Sequence, residues 1–471
     1  MPSPVGTSPV ATPPLLRPRH DPSIPERLAR SAAETGGVQL RTDDFSAWLA
    51  ERRRAHRFRV RRIPFDELDG WSFDAGTGNL GHRSGRFFTV EGLRVTMDRG
   101  PFRSWDQPII KQPEVGILGI LVKEFDGVLH CLMQAKMEPG NPNLLQLSPT
   151  VQATRSNYTK VHRGADVKYI EYFTQPGRGR VLADALQSEH GSWFLRKANR
   201  NMIVETVGEV PLDDDFCWLT FGQIAELLHR DNVVNMDART VLACAPFPRT
   251  ESGARHTDTE LLSWLTAERS VRDVRVERIP LTEARGWKSG GSSIDHEDGR
   301  YFSVVVVSVE AGNREVSGWT QPLFEPHGLG VTAFLVRRID GVPHVLVHAR
   351  PEAGFVHPLE LGPTVQYTPE NYAHLTGGQR PRFLDLVLSA PASRVRYEAV
   401  HAEEGGRFLN AESRYLLIDA DGWADVPLDP PLGYRWVTPG QLTSLVRHGH
   451  YVNVQARTLL ACLNAAGVHD R

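Results

Sequence analysis

The chain has 471 residues, and its 40% apolar and 23% charged residues are ordinary proportions for a globular protein. Its 54 Lys and Arg residues nearly balance its 56 Asp and Glu residues, leaving a formal net charge of -2. This balance argues against a nucleic-acid or membrane-surface partner, since both attract clustered positive charge. No apolar run approaches the roughly 18 residues that a membrane span requires, so we expect a soluble, cytoplasmic protein.

The N-terminal segment differs in composition from the rest of the chain. Residues Met1 to Pro25 carry eight prolines and lack the apolar segment of a signal peptide, which is typical of disordered chain. We predict a Pro-rich disordered leader over 1–40, a first unit over 41–244, a linker over 245–257 and a second unit over 258–471.

An internal repeat defines the two units. Trp48-Leu49 matches Trp264-Leu265, and the match continues in nearly constant register to Ala238-Arg239-Thr240 and Ala456-Arg457-Thr458. The period is far longer than the 20–50 residues of a solenoid repeat. We therefore expect two complete domains packed around a pseudo-two-fold axis.

Each unit has the pattern of a mixed α+β module. Opening helices are predicted at Asp44 to Arg53 and Thr259 to Glu268, the second with a capping box that begins at Thr257. Strands rich in Val, Ile and aromatic residues follow at 86–95, 116–125, 301–309 and 330–339.

Turn and capping signals mark the later part of each unit. Asp126-Gly127 and Asp340-Gly341 lie between apolar strands and predict tight hairpins. Thr220 and Thr438 each begin a capping box that opens a short helix. A second helix is predicted after each, at 236–244 and 454–462.

The chain lacks several signatures of metal and cofactor chemistry. Cys131, Cys217, Cys244 and Cys462 show no metal-ligand spacing and are predicted to be buried, reduced thiols. There is no Walker loop, no GxGxxG after a strand, no HExxH, no GxSxG and no carboxylate cluster with metal-ligand spacing. An enzyme with this sequence is expected to perform acid–base chemistry without a cofactor or metal.

The densest polar and Gly-containing stretch of the first unit runs from Gln134 to Phe173. Polar side chains alternate there with small and turn residues, a pattern typical of a strand end that leads into a ligand-binding loop. A solvated surface loop is the alternative, but the rigid Pro139 and Pro149 and a counterpart in the second unit favour a functional loop.

The paired tryptophans have two possible roles. Trp48 and Trp264 lie on predicted helices and are expected in the core. Trp71 and Trp287 follow glycines in loop-like sequence. These two either stack on a planar ligand such as a nucleobase or simply pack against the protein.

From about Asp43 to its C-terminus, the chain resembles the NDP-hexose 2,3-dehydratases of bacterial deoxysugar biosynthesis. The segments that carry the resemblance are Gly85-Arg86-Phe87-Phe88, Trp105-Asp106-Gln107-Pro108-Ile109-Ile110, Gln112-Pro113-Glu114-Val115-Gly116, Gln134-Ala135-Lys136-Met137-Glu138-Pro139-Gly140-Asn141, Leu147-Ser148-Pro149-Thr150-Val151-Gln152-Ala153-Thr154, Asn157-Tyr158, Tyr169-Ile170-Glu171-Tyr172-Phe173 and Leu361-Gly362-Pro363-Thr364-Val365-Gln366. These motifs are long and specific.

The resemblance implies two tandem Nudix-like units per chain and a homodimer. It also implies loss of water across C2 and C3 of dTDP-4-keto-6-deoxy-D-glucose, giving a 3,4-diketo-2,6-dideoxy sugar that a partner 3-ketoreductase then reduces. The glutamate-rich metal-binding helix of true Nudix hydrolases is missing, which disfavours pyrophosphate cleavage.

The reaction needs a base, an acid and hydrogen-bond donors for the C4 oxyanion. The candidates for acid–base catalysis are Glu138, Tyr158 and His162 in the first unit and Glu352, Tyr372 and Glu412 in the second. The candidates for substrate binding are Trp71, Lys136, Thr154, Arg155, Ser156, Asn157, Tyr158, Trp287, Arg350, Gln366, Tyr367, Thr368, Asn371, Tyr372, Arg414 and Tyr415. No metal or cofactor site is predicted.

Two functions of different classes follow from these patterns. The first is the dehydratase. The second is a non-catalytic nucleotide-sugar binding protein on a duplicated Nudix-like scaffold, and a nucleoside diphosphate hydrolase is a distant third. The repeat leaves open which unit holds the working site.

Overall fold

The computed structural model describes residues 21–155, 167–248, 253–312 and 318–465. The α-helices within these ranges are α1 (Ser23–Ala33), α2 (Phe45–Ala55), α3 (Glu171–Thr174), α4 (Phe221–Leu228), α5 (Met236–Leu242), α6 (Asp258–Val271), α7 (Leu384–Leu388), α8 (Pro439–Leu445) and α9 (Val454–Ala465).

The strands of the first unit are β1 (Phe58–Ile63), β2 (Trp71–Phe73), β3 (Leu80–His82), β4 (Thr89–Met97), β5 (Ser104–Lys111), β6 (Ile117–Phe125), β7 (Val128–Met137), β8 (Leu145–Ser148), β9 (Val151–Ala153), β10 (Arg180–Ser188), β11 (Ala198–Glu205) and β12 (Phe216–Thr220). Those of the second unit are β13 (Val274–Ile279), β14 (Trp287–Ser289), β15 (Ser293–His296), β16 (Phe302–Ala311), β17 (Gly318–Pro326), β18 (Gly330–Ile339), β19 (Val342–Pro351), β20 (Leu359–Gly362), β21 (Val365–Tyr367), β22 (Val395–Ala402), β23 (Glu412–Asp419) and β24 (Tyr434–Val437).

Each unit contains one large sheet of the same topology. The order is β10-β11-β6-β7-β12 in the first unit and β22-β23-β18-β19-β24 in the second, with the short β8, β9, β20 and β21 at corresponding positions. One parallel pair, β11 with β6 or β23 with β18, interrupts otherwise antiparallel sheets. The sequence repeat is therefore a repeat of the fold, and the predicted α+β class is confirmed.

The two small sheets are built by exchange of strands between the units. Strand β1 of the first unit pairs with β16 of the second, from Phe58 opposite Ala311 to Ile63 opposite Val306. Strand β13 of the second unit pairs with β4 of the first. The expectation of two complete domains is therefore wrong, because each unit lends its first strand to the other.

A shared core joins the two large sheets. It contains Leu118 and Ile120 of β6 and Phe334 of β18, with helices α5 and α9 between the sheets. Arg239 and Arg457 are fully buried within it. Each reaches across the unit boundary, to the carbonyl of Ala402 at 2.7 Å and of Ser188 at 2.6 Å, respectively. Such reciprocal contacts fit the expected pseudo-two-fold arrangement.

Most local sequence predictions are confirmed. All three capping boxes form, at Thr220, Thr257 and Thr438. Both Asp-Gly hairpins turn through two residues of positive φ, 49° and 81° in the first unit, as a type I′ turn requires. The four cysteines are buried and unpaired. The helical Trp48 and Trp264 are partly buried and pack against the shared core.

The predicted leader is wrong in its second half. Helix α1 lies inside the segment 1–40, and its Leu28 is fully buried. The hydroxyl of Ser31 on this helix accepts a hydrogen bond from the N–H of Phe221 at 3.0 Å. Two contacts therefore hold α1 in place. Leu28 packs in the core, and Ser31 caps the first turn of α4. Across the described ranges, no helix is long and apolar enough to cross a membrane.

Candidate active site

Three elements of the first unit meet around Glu138, which follows the last residue of β7. Its Oε1 accepts a hydrogen bond from Gln152 of β9 at 2.7 Å. Its Oε2 accepts longer bonds, both 3.4 Å, from the side-chain amides of Asn141 and Asn235. Asn235 is held in place because its side-chain oxygen also caps α5 at the N–H of Ala238. Glu138 is only 4% exposed and lies among amide donors, the partners that a carboxylate accepts.

The second unit completes this site with the turn between β22 and β23. The N–H of Gly140 donates to the carbonyl of Gly405 at 2.7 Å, and the N–H of Asn410 donates to the carbonyl of Gly140 at 2.8 Å. A side chain at Gly140 would overlap the carbonyl oxygen of Phe408, so only glycine permits this close approach. The docked turn carries Glu404 and Arg407 toward Glu138.

Glu404 and Glu138 face one small space beside Gly406. A Cβ atom added at Gly406 would lie 2.8 Å from Oε1 of Glu404 and 3.8 Å from Oε1 of Glu138. Burial raises the pKa of Glu404 to about 7, opposed by Arg407 and reinforced by the nearby charges of Glu189 and Glu138. A carboxyl group whose pKa is about 7 thus stands opposite one bound by amide donors, an arrangement suited to an acid and a base.

Further charged groups surround this pair. Asp237 is buried on α5, and burial, followed by the charges of Glu404, Glu189 and Glu138, raises its pKa well above the usual value. Lys197 is also buried, with its pKa lowered by burial, and donates to Oδ1 of Asn199 at 2.9 Å. We call the following residues the first cluster: Lys136, Glu138, Gln152, Asn235, Asp237, Glu404 and Arg407.

The second unit repeats the arrangement around Glu352. Gln366 donates to Oε1 of Glu352 at 2.8 Å, and Asn453 donates to Gln366 at 2.7 Å. Arg350, the counterpart of Lys136, pairs directly with Glu352 at 2.9 Å. We call the following residues the second cluster: Arg350, Glu352, Gln366, Asn453, Gln455, His190 and Trp193.

The second cluster also borrows a turn from the other unit. The N–H of Gly354 donates to the carbonyl of Gly191 at 2.7 Å. His190, the counterpart of Glu404, lies 2.9 Å from Glu403. Burial lowers the pKa of His190, but the hydrogen bond and charge of Glu403 outweigh burial and raise it. The two clusters thus share a backbone plan and differ in charge.

The structure brings several predicted residues of the second unit together. The guanidinium of Arg350 lies 4.8 Å from the ring centre of Tyr367, and this ring lies 5.2 Å from that of Tyr372. Burial raises the pKa of Tyr372. Asn371 accepts a hydrogen bond from the N–H of Tyr301 at 3.0 Å, and its own N–H donates to the carbonyl of Thr368 at 3.1 Å.

Other predicted residues make contacts of a structural kind. Arg414 pairs with Glu398 at 2.7 Å across a hairpin, and the first unit repeats this pair as Arg200 with Asp184. Glu412 accepts a hydrogen bond from Asn232 at 2.6 Å. Within the described ranges, no hydrogen bond or ion pair joins Glu412 or Arg414 to Glu352. Tyr415 is fully buried, and its hydroxyl donates to Glu403 at 2.9 Å.

The loop tryptophans pack against the protein. The indole N–H of Trp71 donates to the carbonyl of Thr320 at 2.9 Å, and that of Trp287 donates to the carbonyl of Asp106 at 2.8 Å. Both rings belong to one aromatic core that spans the two units. Of the two interpretations from sequence, these contacts favour packing over stacking on a ligand.

The loop after β9 is described only as far as Arg155. Thr154 is partly buried, Arg155 is exposed, and both make further interactions. The remaining predictions in this loop, Ser156, Asn157, Tyr158 and His162, lie outside the described residues.

Sequence reasoning missed the part of the first cluster that comes from the second unit. Glu404 aligns with His190 and Arg407 with Trp193, so the two copies diverge in charge at these positions. Gln152 and Asn235 carry the opposite signal, since Gln366 and Asn453 repeat them.

Comparisons with known proteins agree with this duplicated architecture. The family model described as NDP-hexose 2,3-dehydratase matches residues 42–245 and again 258–463. A protein of Amycolatopsis orientalis named dTDP-4-dehydro-6-deoxy-alpha-D-glucopyranose 2,3-dehydratase is 64% identical over 461 residues, which cover 97% of each chain. Proteins of the same name from Saccharopolyspora spinosa and Streptomyces violaceoruber are each 51% identical and cover 93% and 91% of this chain, and 94% and 98% of their own lengths. The chain belongs to the NDP-hexose 2,3-dehydratase family.

Proposed function

We propose that this protein removes water across C2 and C3 of dTDP-4-keto-6-deoxy-D-glucose, giving the 3,4-diketo-2,6-dideoxy sugar used in deoxysugar biosynthesis. The names of relatives at 51–64% identity support the substrate and the reaction. The observation that carries the mechanism is the convergence of Glu138 and Glu404 on the space beside Gly406.

In the proposed mechanism, Glu138 is the base and Glu404 the acid. The C4 ketone acidifies the hydrogen on C3, so a carboxylate can remove this proton and leave an enolate. The electron pair of the enolate forms the C2–C3 double bond and expels the C2 hydroxyl. The proton of Glu404 joins the departing hydroxyl to make water, and the resulting enol tautomerises to the diketone.

We place the working site in the first cluster. In the first cluster, the carboxyl groups of Glu138 and Glu404 face the same space beside Gly406. The carboxylate of Glu138 accepts hydrogen bonds from the side-chain amides of Gln152, Asn141 and Asn235. In the second cluster, Glu352 is ion-paired with Arg350 at 2.9 Å. The second cluster also has His190, held by Glu403, where the first has Glu404.

The proposal is tested with purified protein, the 4-keto sugar nucleotide and a 3-ketoreductase that traps the unstable product. We expect Glu138→Gln to lower kcat by about 100-fold or more, the usual range for losing an acid or base. Glu352→Gln is the matched variant and should lower kcat by less than about tenfold. Folded wild-type protein without turnover would refute the function, and an active Glu138→Gln variant would refute the site.

Three further features concern the fold of each unit, the oligomeric state and the downstream enzyme. We infer that each unit is Nudix-like, supported by its mixed sheet with helices on the face toward the shared core. We also propose a homodimer and a 3-ketoreductase as downstream partner. The reactive 1,2-diketone of the product supports a reductase that consumes it promptly.

A further inference from the structure

Arg407 is a cation of the second unit held in a fixed orientation beside the first-unit carboxylates. Its Nε donates to Oε1 of Gln112 at 3.1 Å, and its Nη1 donates to the carbonyl of Gly406 at 2.6 Å. Its guanidinium carbon lies 4.3 Å above the ring centre of Phe88. Nε, Nη1 and one face of the guanidinium therefore already make contacts. Nη2 is the nitrogen left to donate to a further acceptor.

The charge of Arg407 lacks a close partner. The carboxyl groups of Glu404, Glu138 and Asp237 all act on it electrostatically. Within the described part of the chain, however, no carboxylate oxygen lies within 4.0 Å of a guanidinium nitrogen of Arg407, the distance that defines an ion pair. Burying a guanidinium costs free energy unless an anion approaches it. A partly buried, oriented and unpaired cation next to a catalytic pair is suited to negative charge that arrives with the substrate.

We infer that Arg407 donates a hydrogen bond from Nη2 to the C4 oxygen of the sugar as that oxygen becomes the enolate oxyanion. This inference rests on the proposed function. Carbon C4 is bonded to C3, whose proton is transferred to Glu138, and Arg407 follows Gly406, beside which Glu138 and Glu404 converge. Donors preorganised for developing charge stabilise the transition state more than the substrate.

The same residue distinguishes the two clusters. The position of Arg407 in the second unit corresponds to Trp193 in the first, and Trp193 packs on Phe408 with ring centres 4.4 Å apart. A tryptophan at this place supplies no cation to the second cluster. At this position, therefore, the Glu138 side receives a cation from the other half of the chain, and the Glu352 side receives an indole ring.

The diphosphate of the substrate is the other anion that could approach Arg407. A diphosphate contact forms equally in the substrate complex and in the transition state, so its loss raises KM and leaves kcat unchanged. An oxyanion contact strengthens only as the enolate forms, so its loss lowers kcat. The two sources of negative charge are thus separable by steady-state kinetics.

The test measures elimination and, separately, exchange of the C3 hydrogen with D2O, which reports enolate formation without loss of water. Glu404→Gln should block elimination and retain exchange. Adding Arg407→Gln to this variant should abolish exchange, and Arg407→Lys should restore part of it. Arg407→Gln alone should lower kcat by about 100-fold or more, with KM changed by less than about threefold. Arg396→Gln, which removes the ion pair of Arg396 with Asp419, should change neither activity.

Each contrary result has one meaning. Retained exchange in the double variant, or a raised KM with an unchanged kcat in Arg407→Gln, overturns the role of Arg407. If Glu404→Gln itself shows no exchange, the assignment of Glu404 fails, and the kcat and KM of Arg407→Gln decide alone. If the wild-type protein does not eliminate water, the proposed function itself fails. Thermal unfolding of Arg407→Lys and Arg407→Gln separates lost chemistry from lost folding.

Discussion

Gly140 and Gly405 are joined by a backbone hydrogen bond of 2.7 Å across the boundary between the two repeated units. The repeat places an identical bond of 2.7 Å between Gly354 and Gly191. The turn that follows β7 therefore contacts the turn between β22 and β23, and the turn that follows β19 contacts the turn between β10 and β11. This double contact explains why both clusters contain side chains from both halves of the chain.

The first prediction concerns this close contact. Gly140→Ala places a methyl group onto the carbonyl oxygen of Phe408, so the 404–408 turn must move. We expect a loss of stability of about 1–3 kcal/mol, typical of overpacking, and a fall in kcat of more than about tenfold, because misplacing a catalytic group is costly. Chemical denaturation and turnover assays measure the two effects.

Two matched glycine variants sharpen this prediction. Gly354→Ala makes the same clash with the carbonyl oxygen of Phe194 and should destabilise similarly, with a smaller effect on kcat. Gly291→Ala meets nothing within 4 Å and should behave as wild type. Equal losses of kcat in Gly140→Ala and Gly354→Ala would contradict the assignment of the working site to the first cluster.

The second prediction is a pH dependence set by Glu404. Burial raises its pKa to about 7, so the free enzyme loses the required proton as the pH rises above this value. We expect kcat/KM to fall on the alkaline side by about tenfold per pH unit. The residual activity of Glu404→Gln should lack this alkaline decline, and a variant that keeps it would assign the decline to another group.

The third prediction concerns the stability of the protein and Asp237. Burial, with the charges of Glu404, Glu189 and Glu138, raises its pKa above the unfolded value of 3.8. The folded state therefore binds the proton more tightly, and stability is lost as pH rises from the unfolded pKa through the folded one. Asp237→Asn mimics the neutral form and should flatten this decline in thermal unfolding experiments. An equally steep decline in the variant would rule out Asp237 as its source.

The fourth prediction addresses Arg414, a sequence candidate for binding the diphosphate. Its partner Glu398 is 43% exposed, and exposed ion pairs contribute about 0–1 kcal/mol. We expect Arg414→Gln to change unfolding free energy by less than about 1 kcal/mol and to leave kcat and KM unchanged. A several-fold rise in KM would restore Arg414 to the substrate site.

Only part of the candidate site could be predicted from the sequence. Glu138 and Glu352 could be identified because each follows an apolar strand within a polar, Gly-containing segment. Glu404 could not, since it lies far along the chain from Glu138 and in a turn without a recognised motif. Convergence of two side chains depends on how turns dock, and no local pattern encodes that docking.

Local hydrogen bonding and hydrophobic periodicity in the sequence determined the capped helices, the Asp-Gly hairpins and the duplication itself. Thr220 caps α4 through a residue only three positions away, so both partners of this contact can be read from one short stretch of sequence. Only the tertiary structure decided that β1 pairs with β16 and β13 with β4. Strand pairing uses backbone groups that nearly every residue offers. The hydrophobic pattern of a strand therefore predicts which of its faces is buried, but it does not predict which strand pairs with it. For the same reason, the structure alone placed Glu404 and Arg407 of one copy beside Glu138 of the other.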